Sequence, residues 1–277
     1  MALALVSVLA ALGCGKASQA PNPYAFRWPD TLSYRLDYVN QVSRNREPLL
    51  RFAESKTLRL AIRNGRYLGA YDSVLKSSER PGERLTLVPY LPEDTLLFNV
   101  KLGAHGELSD MSLGCDPTVA ECARALPSTV LLELRRIIPR LPLFEAPQGG
   151  GWVDTLTFDD TGREGGMRGS VITSYLGRRD TTIHGRSYWL VGWDSFRRAF
   201  RGGAGSDPTL GAAPPVEESG ISLVDKQRLM PVYSTWAGAV AAPPEMRAAG
   251  ATGSGFRGRA YLAGTVFDSL YSHEVGP

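Results

Sequence analysis

The side chains that could do chemistry are few and lie far apart in the sequence. Of the three histidines, His105 and His184 adjoin glycines in turn-like segments, and His273 lies near the last residue. A Ser/His/Asp hydrolase site could be built from His184, Asp180 and a remote serine, but no motif places a nucleophile beside them. We therefore predict no catalytic residue and no enzymatic activity. A hydrolase that uses His184 is the remote alternative.

Two patterns match ligand-binding motifs only in part. The segment 253–258, GSGFRG, has the spacing G-x-G-x-x-G, but it leads into strand-like sequence and not into the helix that holds a dinucleotide phosphate. Asp159 and Asp160 precede Gly162 without the spacing of a calcium-binding loop, which favours a solvated turn. The sequence thus predicts no cofactor and no metal site.

Cys115 and Cys122 flank the segment DPTVAE, and with Cys14 set aside they form an even pair. In an exported protein such a pair favours a disulfide. Zinc is the weaker alternative because two thiolates alone do not complete a zinc site. In one continuous helix the two Cα atoms would lie about 10 Å apart, beyond the usual disulfide limit of about 7 Å. At least one of the two residues must therefore lie outside helical geometry.

The charged residues indicate no nucleic-acid partner. The net charge is +3, and the 31 basic and 28 acidic residues are dispersed along the chain. The densest basic cluster is Arg197, Arg198 and Arg201. It is either a solvated loop rim or a contact for anionic lipid head groups.

The first residues of the chain predict export. Residues 1–13, MALALVSVLAALG, are an apolar run too short to span a bilayer, which is typical of a signal peptide. Residues 14–30 are small, polar and rich in proline, so we expect a flexible tether.

The residues Ala11, Leu12, Gly13 and Cys14 resemble a bacterial lipoprotein lipobox. The resemblance implies a diacylglyceryl thioether on Cys14, and several acyl chains together anchor a protein durably. With glycine after Cys14, the resemblance to Gram-negative lipoproteins implies sorting to the outer membrane, with the folded part facing the periplasm. The alternative is an ordinary secretory signal with an incidental cysteine.

One amphipathic helix separates two runs of strand-like sequence. Its apolar positions recur at helical spacing: Val130, Leu131, Leu134, Ile137, Ile138 and Leu141. The charged residues Glu133, Arg135, Arg136 and Arg140 fall elsewhere on the helix. We expect a helix over residues 128–138, within a helical segment 116–141, with one face packed on a sheet.

The flanking runs alternate apolar and polar residues, as half-buried antiparallel strands do. They predict a first meander over residues 31–113 and a second over residues 151–272, in one domain 31–272. Expected strands are Thr31–Val42, Lys56–Ile62, Arg66–Ser77, Glu83–Val88, Thr95–Leu102, Glu107–Leu113, Trp152–Phe158, Arg168–Leu176, Thr181–His184, Ser187–Phe196, Ser219–Val224, Val232–Val240 and Phe256–Ser272. The predicted class is mainly β (α+β).

The order of lipobox, meander, helix ending in LPLFEAP, and a strand with Trp152, Asp154, Thr155 and Leu156 is similar to the periplasmic lipoprotein-carrier group, the LolA, LolB and LppX kind of protein. This resemblance implies an antiparallel open β half-barrel of about 11 strands with the helix on its concave face. It also implies an apolar cavity for acyl chains. Carried over, the lining candidates are Leu131, Leu134 and Ile138 on the helix, and Leu96, Phe98 and Trp189 on strands.

These observations favour a non-enzymatic, membrane-anchored lipoprotein that binds or carries a lipid or another apolar ligand. The alternative is a structural or interaction lipoprotein with a filled core, a periplasmic or surface scaffold. Trp189, Val191 and Trp193 share one strand face while Tyr188 and Leu190 share the other, so both faces need cover from core, helix or ligand. The volume between helix and sheet distinguishes the two functions.

Overall fold

Two meanders of long antiparallel strands make up the molecule, and one helix lies between them. The computed structural model describes residues 24–44, 47–79, 88–89, 97–114, 126–143, 150–162, 166–201, 213–241 and 251–271. The elements are β1 (Thr31–Arg44), β2 (Glu47–Arg63), β3 (Arg66–Glu79), β4 (Val88–Pro89), β5 (Leu97–Leu102), β6 (Leu108–Leu113), α1 (Pro127–Ile137), β7 (Trp152–Asp159), β8 (Met167–Ile183), β9 (Arg186–Arg201), β10 (Val216–Asp225), β11 (Met230–Ala241), β12 (Ala251–Leu262) and α2 (Val266–Tyr271).

All described strands join one unclosed antiparallel sheet. Its order is β6-β5-β3-β2-β1-β12-β11-β10-β9-β8-β7, and the short β4 pairs with β3 beside this path. The first and last long strands meet at the middle of the sheet, where Tyr34 lies opposite Leu262. The predicted mainly β open half-barrel with a central helix is therefore confirmed, with β6 and β7 as its two edges.

The last predicted strand, Phe256–Ser272, is wrong in its second half. Strand β12 ends at Leu262, Gly264 turns the chain at a φ of 71°, and residues 266–271 form α2. Phe267 is buried there, with its ring 4.9 Å from that of Tyr233. The apolar positions that resemble strand alternation after Leu262 thus lie on the short helix α2, which presents its aromatic residues to the sheet.

Two predicted strands, 168–176 and 181–184, are one strand, β8, with an irregularity between Tyr175 and Arg178. Gly177 has a φ of 98° at this bulge, a conformation that suits a residue without Cβ. Most of the predicted strand Glu83–Val88 lies outside the described residues.

The segment before β1 covers the end of the half-barrel at which β1 begins. Tyr24 and Phe26 are buried, and the Phe26 N–H donates to the carbonyl of Ala104 in the β5–β6 turn. The N–H of Arg27 donates to Leu229 in the β10–β11 turn at 2.9 Å. The expected tether 14–30 therefore includes a part, from Tyr24 onward, that belongs to the folded unit.

Helix α1 runs along the concave side of the sheet. Pro127 occupies its first turn, where a missing N–H costs nothing, and the N–H of Ser128 donates to the Asp160 carboxylate at 3.0 Å. At the other end, Leu141 donates its N–H to the carbonyl of His105. No helix in the described ranges combines the length and the apolar character that crossing a membrane requires.

Candidate functional site: the interior of the half-barrel

The apolar stripe of α1 is enclosed. Leu134 and Ile138 have no exposed surface and Leu131 retains 8%. Of the strand candidates, Phe98 is fully buried and Trp189 is 7% exposed. All five belong to the continuous hydrophobic core, so what the structure shows for them is packing between helix, sheet and N-terminal segment.

The two strand candidates lie in separate places. Phe98 on β5 lies against Gly69, where a Cβ atom would come within 2.1 Å of its ring, and its centroid is 5.8 Å from that of Tyr71. Trp189 on β9 contacts Tyr24 edge-on at 5.2 Å, under the N-terminal segment. The remaining candidate Leu96, the lipidation site Cys14 and the cysteines Cys115 and Cys122 lie outside the described residues, so the thioether and the disulfide stay predictions.

The polar side of α1 is paired as well. Glu133 accepts a hydrogen bond from Lys56 at 2.6 Å and one from the Tyr71 hydroxyl at 2.8 Å. Burial alone would lower the pKa of Lys56, but the carboxylates of Glu133 and Glu54 outweigh it and raise this pKa. Burial, reinforced by Glu133, raises the pKa of Tyr71 well above its usual value. These groups hold the helix to β2 and β3.

Arg136 makes the matching contact to the other half of the sheet. Its guanidinium donates two hydrogen bonds, of 2.7 and 2.6 Å, to the carboxylate of Glu218 on β10. It also lies 5.8 Å from the ring of Trp236 and 5.4 Å from that of Phe256. The Ser234 hydroxyl donates to the Arg136 carbonyl at 2.6 Å. Such a bidentate pair fixes both position and rotation of the helix.

Arg135 and Arg140 connect the two edges of the sheet. Arg135 donates to the carbonyl of Gly106, before β6, at 2.9 Å and lies 3.3 Å from the carboxylate of Asp154 on β7. Arg140 forms an ion pair with Glu107 and lies 3.8 Å from Asp154. Burial would raise the pKa of Glu107, but hydrogen bonds from Arg140 and from the backbone lower it. Side chains of the helical segment, instead of backbone hydrogen bonds, thus close the gap between β6 and β7.

One cleft remains between α1 and strands β8 to β10. It offers about 20 Å³ to a water-sized molecule and about 360 Å³ of free space when the adjoining solvent is counted. It is lined by Leu132, Arg135, Arg136, Val171, Thr173, Trp193, Ser195, Arg197 and Glu218. The inner volume is close to the minimum that holds one water molecule, about 10–15 Å³.

The histidines, acidic turn and glycine motif singled out in the sequence are not brought together. His184 is exposed in the β8–β9 turn, and Asp180 lies 3.2 Å from Lys226. Within the described ranges no three His, Cys, Asp or Glu residues are placed to hold a metal ion. In the motif 253–258, Gly258 makes room for Trp236, whose ring a Cβ atom would approach to 2.4 Å. That glycine serves packing.

The sequence did not indicate the buried ion pairs. Lys56 and Glu133 are separated by 77 residues, and Arg136 and Glu218 by 82. No local spacing reveals a pair of that kind. The one available signal was the inward face of β9, because the alternation that places Trp193 inward also places Ser195 and Arg197 there.

Comparisons with known proteins give similarity of shape alone. No protein-family model and no curated protein matches the sequence. A solved structure described as "Lipid-protein interactions in lipovitellin" is 7% identical, with a TM-score of 0.47 over 85% of this chain, which spans a quarter (25%) of that chain. The hypothetical lipoprotein YmcC from Escherichia coli (K12) is 12% identical, with a TM-score of 0.27 over 84% of this chain and 85% of that chain. These scores support no inference about function or ligands.

Proposed function

We propose that this chain is a non-enzymatic, membrane-anchored lipoprotein of the bacterial envelope whose folded part is a filled half-barrel that serves as a structural or interaction scaffold. The anchor is the acylated Cys14 expected from the sequence, on the outer membrane with the folded part facing the periplasm. The observation that carries the proposal is the enclosure of α1. Thr129 is the one exposed residue between Leu126 and Leu141.

Carriage of an acyl chain along the helix stripe would require the helix to move. Uncovering Leu134, Ile137 and Ile138 would lose about 1.5–3 kcal/mol for each side chain. The movement would also separate Arg136 from Glu218 and Glu133 from Lys56, and would leave partly buried charges without partners. A rigid scaffold needs no such movement.

The outer surface near one edge supports an interaction role. The face of the sheet away from α1 exposes three large apolar side chains there: Val153 at 65%, Ile172 at 45% and Leu176 at 62%. Strand β7 ends the described sheet, and a sheet edge is a common place for another protein to bind. We propose that a second protein binds at this edge, with apolar residues opposite Val153.

Two measurements test this function. Protein purified without detergent should show no bound phospholipid by native mass spectrometry, whereas a stoichiometric phospholipid would overturn the filled-core proposal. A photo-reactive residue at Val153 should give a discrete cross-linked species in intact cells. The same photo-reactive residue at Ala237, which is exposed on the same face of the sheet but in β11, should give no such species. Equal cross-linking at both positions would contradict an interaction edge at β7.

The second candidate function is the binding of a lipid or another apolar ligand inside the half-barrel, and the cleft beside Leu132 favours it. Its apolar wall includes Val171 and Trp193. Its inner volume of about 20 Å³ is far below the 300–1,000 Å³ typical of sites for drug-sized ligands. Saturable, stoichiometric uptake of an uncharged apolar probe such as decanol would favour this candidate over the scaffold.

A further inference from the structure

The basic cluster found in the sequence is divided by the sheet. Arg197 on β9 lies opposite Val216 and faces the interior, where it lines the cleft. Arg198 is exposed on the other face, with its guanidinium 5.4 Å from the ring of Phe196. Arg197 therefore lies inside the half-barrel, and Arg198 on the outer face can serve as a matched control for substitutions.

The cleft holds donors without acceptors. In the part of the chain that the structure describes, half-buried Arg197 makes no hydrogen bond or ion pair. The neighbouring Glu218 is already engaged by both hydrogen bonds from Arg136. Arg135 also lines the cleft, but it is only 8% exposed and its terminal nitrogens contact the Gly106 carbonyl and Asp154. Unpaired donors such as those of Arg197 are costly unless a ligand satisfies them.

The local charge favours a single negative charge. Three guanidinium groups line the cleft. Arg135 pairs with Asp154 and Arg136 pairs with Glu218, which leaves Arg197 without a carboxylate partner. Burial lowers the pKa of Arg197 and Glu218 offsets this only in part, because a second guanidinium, that of Arg136, lies nearby. An arginine remains charged in proteins, so the excess positive charge persists.

The size of the cleft selects among anions. An inner volume of about 20 Å³ holds one water-sized group. A carboxylate can place one oxygen in this space and leave the remainder of the molecule in the outer cleft, and its single negative charge matches the one guanidinium that is left over, whereas inorganic phosphate carries more than one negative charge near neutral pH. The hydroxyls of Thr173 and Ser195 add donors, and Leu132, Val171 and Trp193 supply an apolar wall.

We infer that the cleft beside Leu132 is a binding site for a carboxylate group, held by the guanidinium of Arg197 and the hydroxyls of Thr173 and Ser195. This site goes beyond the scaffold function, because it uses the space that α1 leaves and requires no movement of the helix. The carboxylate is either that of a small free anion or the head group of a fatty acid whose chain follows the apolar wall.

Calorimetric titration of the full-length protein tests the site with sodium acetate, sodium decanoate, decanol and sodium phosphate. Decanoate or acetate should bind with one-to-one stoichiometry and should bind more weakly as salt increases. Binding of both with similar affinity identifies a free carboxylate, and a strong preference for decanoate identifies a fatty acid. Decanol and phosphate should bind at least tenfold more weakly.

The variant R197Q should weaken carboxylate binding roughly tenfold or more, the range expected for loss of a charge-assisted hydrogen bond. The matched variant R198Q should leave binding unchanged, and R197K should recover part of it. Thermal melting checks that all three variants fold. The inference is overturned if neither carboxylate binds at millimolar concentration, or if R197Q and R198Q behave alike. It is also overturned if decanol binds as well as decanoate, a result that leaves apolar ligand binding itself intact.

Discussion

The bidentate pair between Arg136 and Glu218 gives the sharpest test of how α1 is held. The two side chains are 19% and 9% exposed, and their hydrogen bonds are 2.7 and 2.6 Å long. Replacing Glu218 by leucine leaves the Arg136 charge among Trp236 and Phe256 without its acceptor. Removing one partner of a buried pair costs about 3–5 kcal/mol. The partial exposure of Arg136 places our expectation at the lower limit, about 3 kcal/mol.

The double variant separates the pair from its surroundings. We expect R136M alone to lower the free energy of unfolding by about 2 kcal/mol, and R136M/E218L together to lower it by about 2–3 kcal/mol, because neither member of the pair is then left without the other. The coupling between the two sites is then about 2–3 kcal/mol. Urea unfolding followed by tryptophan fluorescence measures all four proteins, with the slope checked for constancy.

An exposed pair provides the control. Arg66 and Asp110 lie 3.6 Å apart with side chains 52% and 49% exposed, and R66M should cost less than about 1 kcal/mol. If the effects of R136M and E218L add to within about 0.5 kcal/mol, the pair is not coupled and helix retention by buried charge is refuted.

Three further predictions concern the core and the ionisable groups. L134A should lower the free energy of unfolding by about 2.7–5 kcal/mol, since this side chain is fully buried, whereas V153A at an exposed position should stay within about 0.5 kcal/mol; urea unfolding compares them. Burial and Glu133 raise the pKa of Tyr71. The stability that its neutral hydroxyl contributes is therefore complete below the pKa of tyrosine in the unfolded chain, about 10. It is lost as pH rises above that value, so Y71F should lose less stability than wild type between about pH 10 and 11.5. The pKa of Glu107 is lowered, so the pH dependence has the opposite direction. The stability that its ionised carboxylate contributes is present above about pH 4.3 and is lost as pH falls further. Acid unfolding of E107Q should therefore be flatter there, and an unchanged profile would contradict the ion pair with Arg140.

Local pattern was sufficient for most of the fold. Alternation located the long strands, and apolar residues at helical spacing located α1 to within one residue at each end. Asn64 and Gly65, a pair that favours hairpin turns, form the β2–β3 turn, where they adopt positive φ angles of 53° and 75°. The short α2 was missed because one helical turn with Phe267 and Tyr271 gives no periodicity distinct from that of a strand end.

The interior could not be predicted in the same way. The sequence indicated that Arg135, Arg136 and Glu133 lie off the apolar stripe, a position that normally means solvent. In this half-barrel the sheet curves around both sides of the helix, so the polar side meets strands as well. The identity of the partners depends on long-range register, which alternation does not specify.

The burial of Tyr24 and Phe26 sets the reach of the expected anchor. Nine residues lie between an acylated Cys14 and Tyr24, and the ten residue steps span about 33–36 Å when fully extended, instead of the roughly 50 Å available if the free chain continued to β1. A pulling force transmitted through these residues would act first on the hydrogen bonds from Phe26 and Arg27 to the β5–β6 and β10–β11 turns. Strand β1 would not bear this force directly. The folded part would therefore lie close to the bilayer, with the end of the half-barrel that Tyr24 and Phe26 cover facing the lipid.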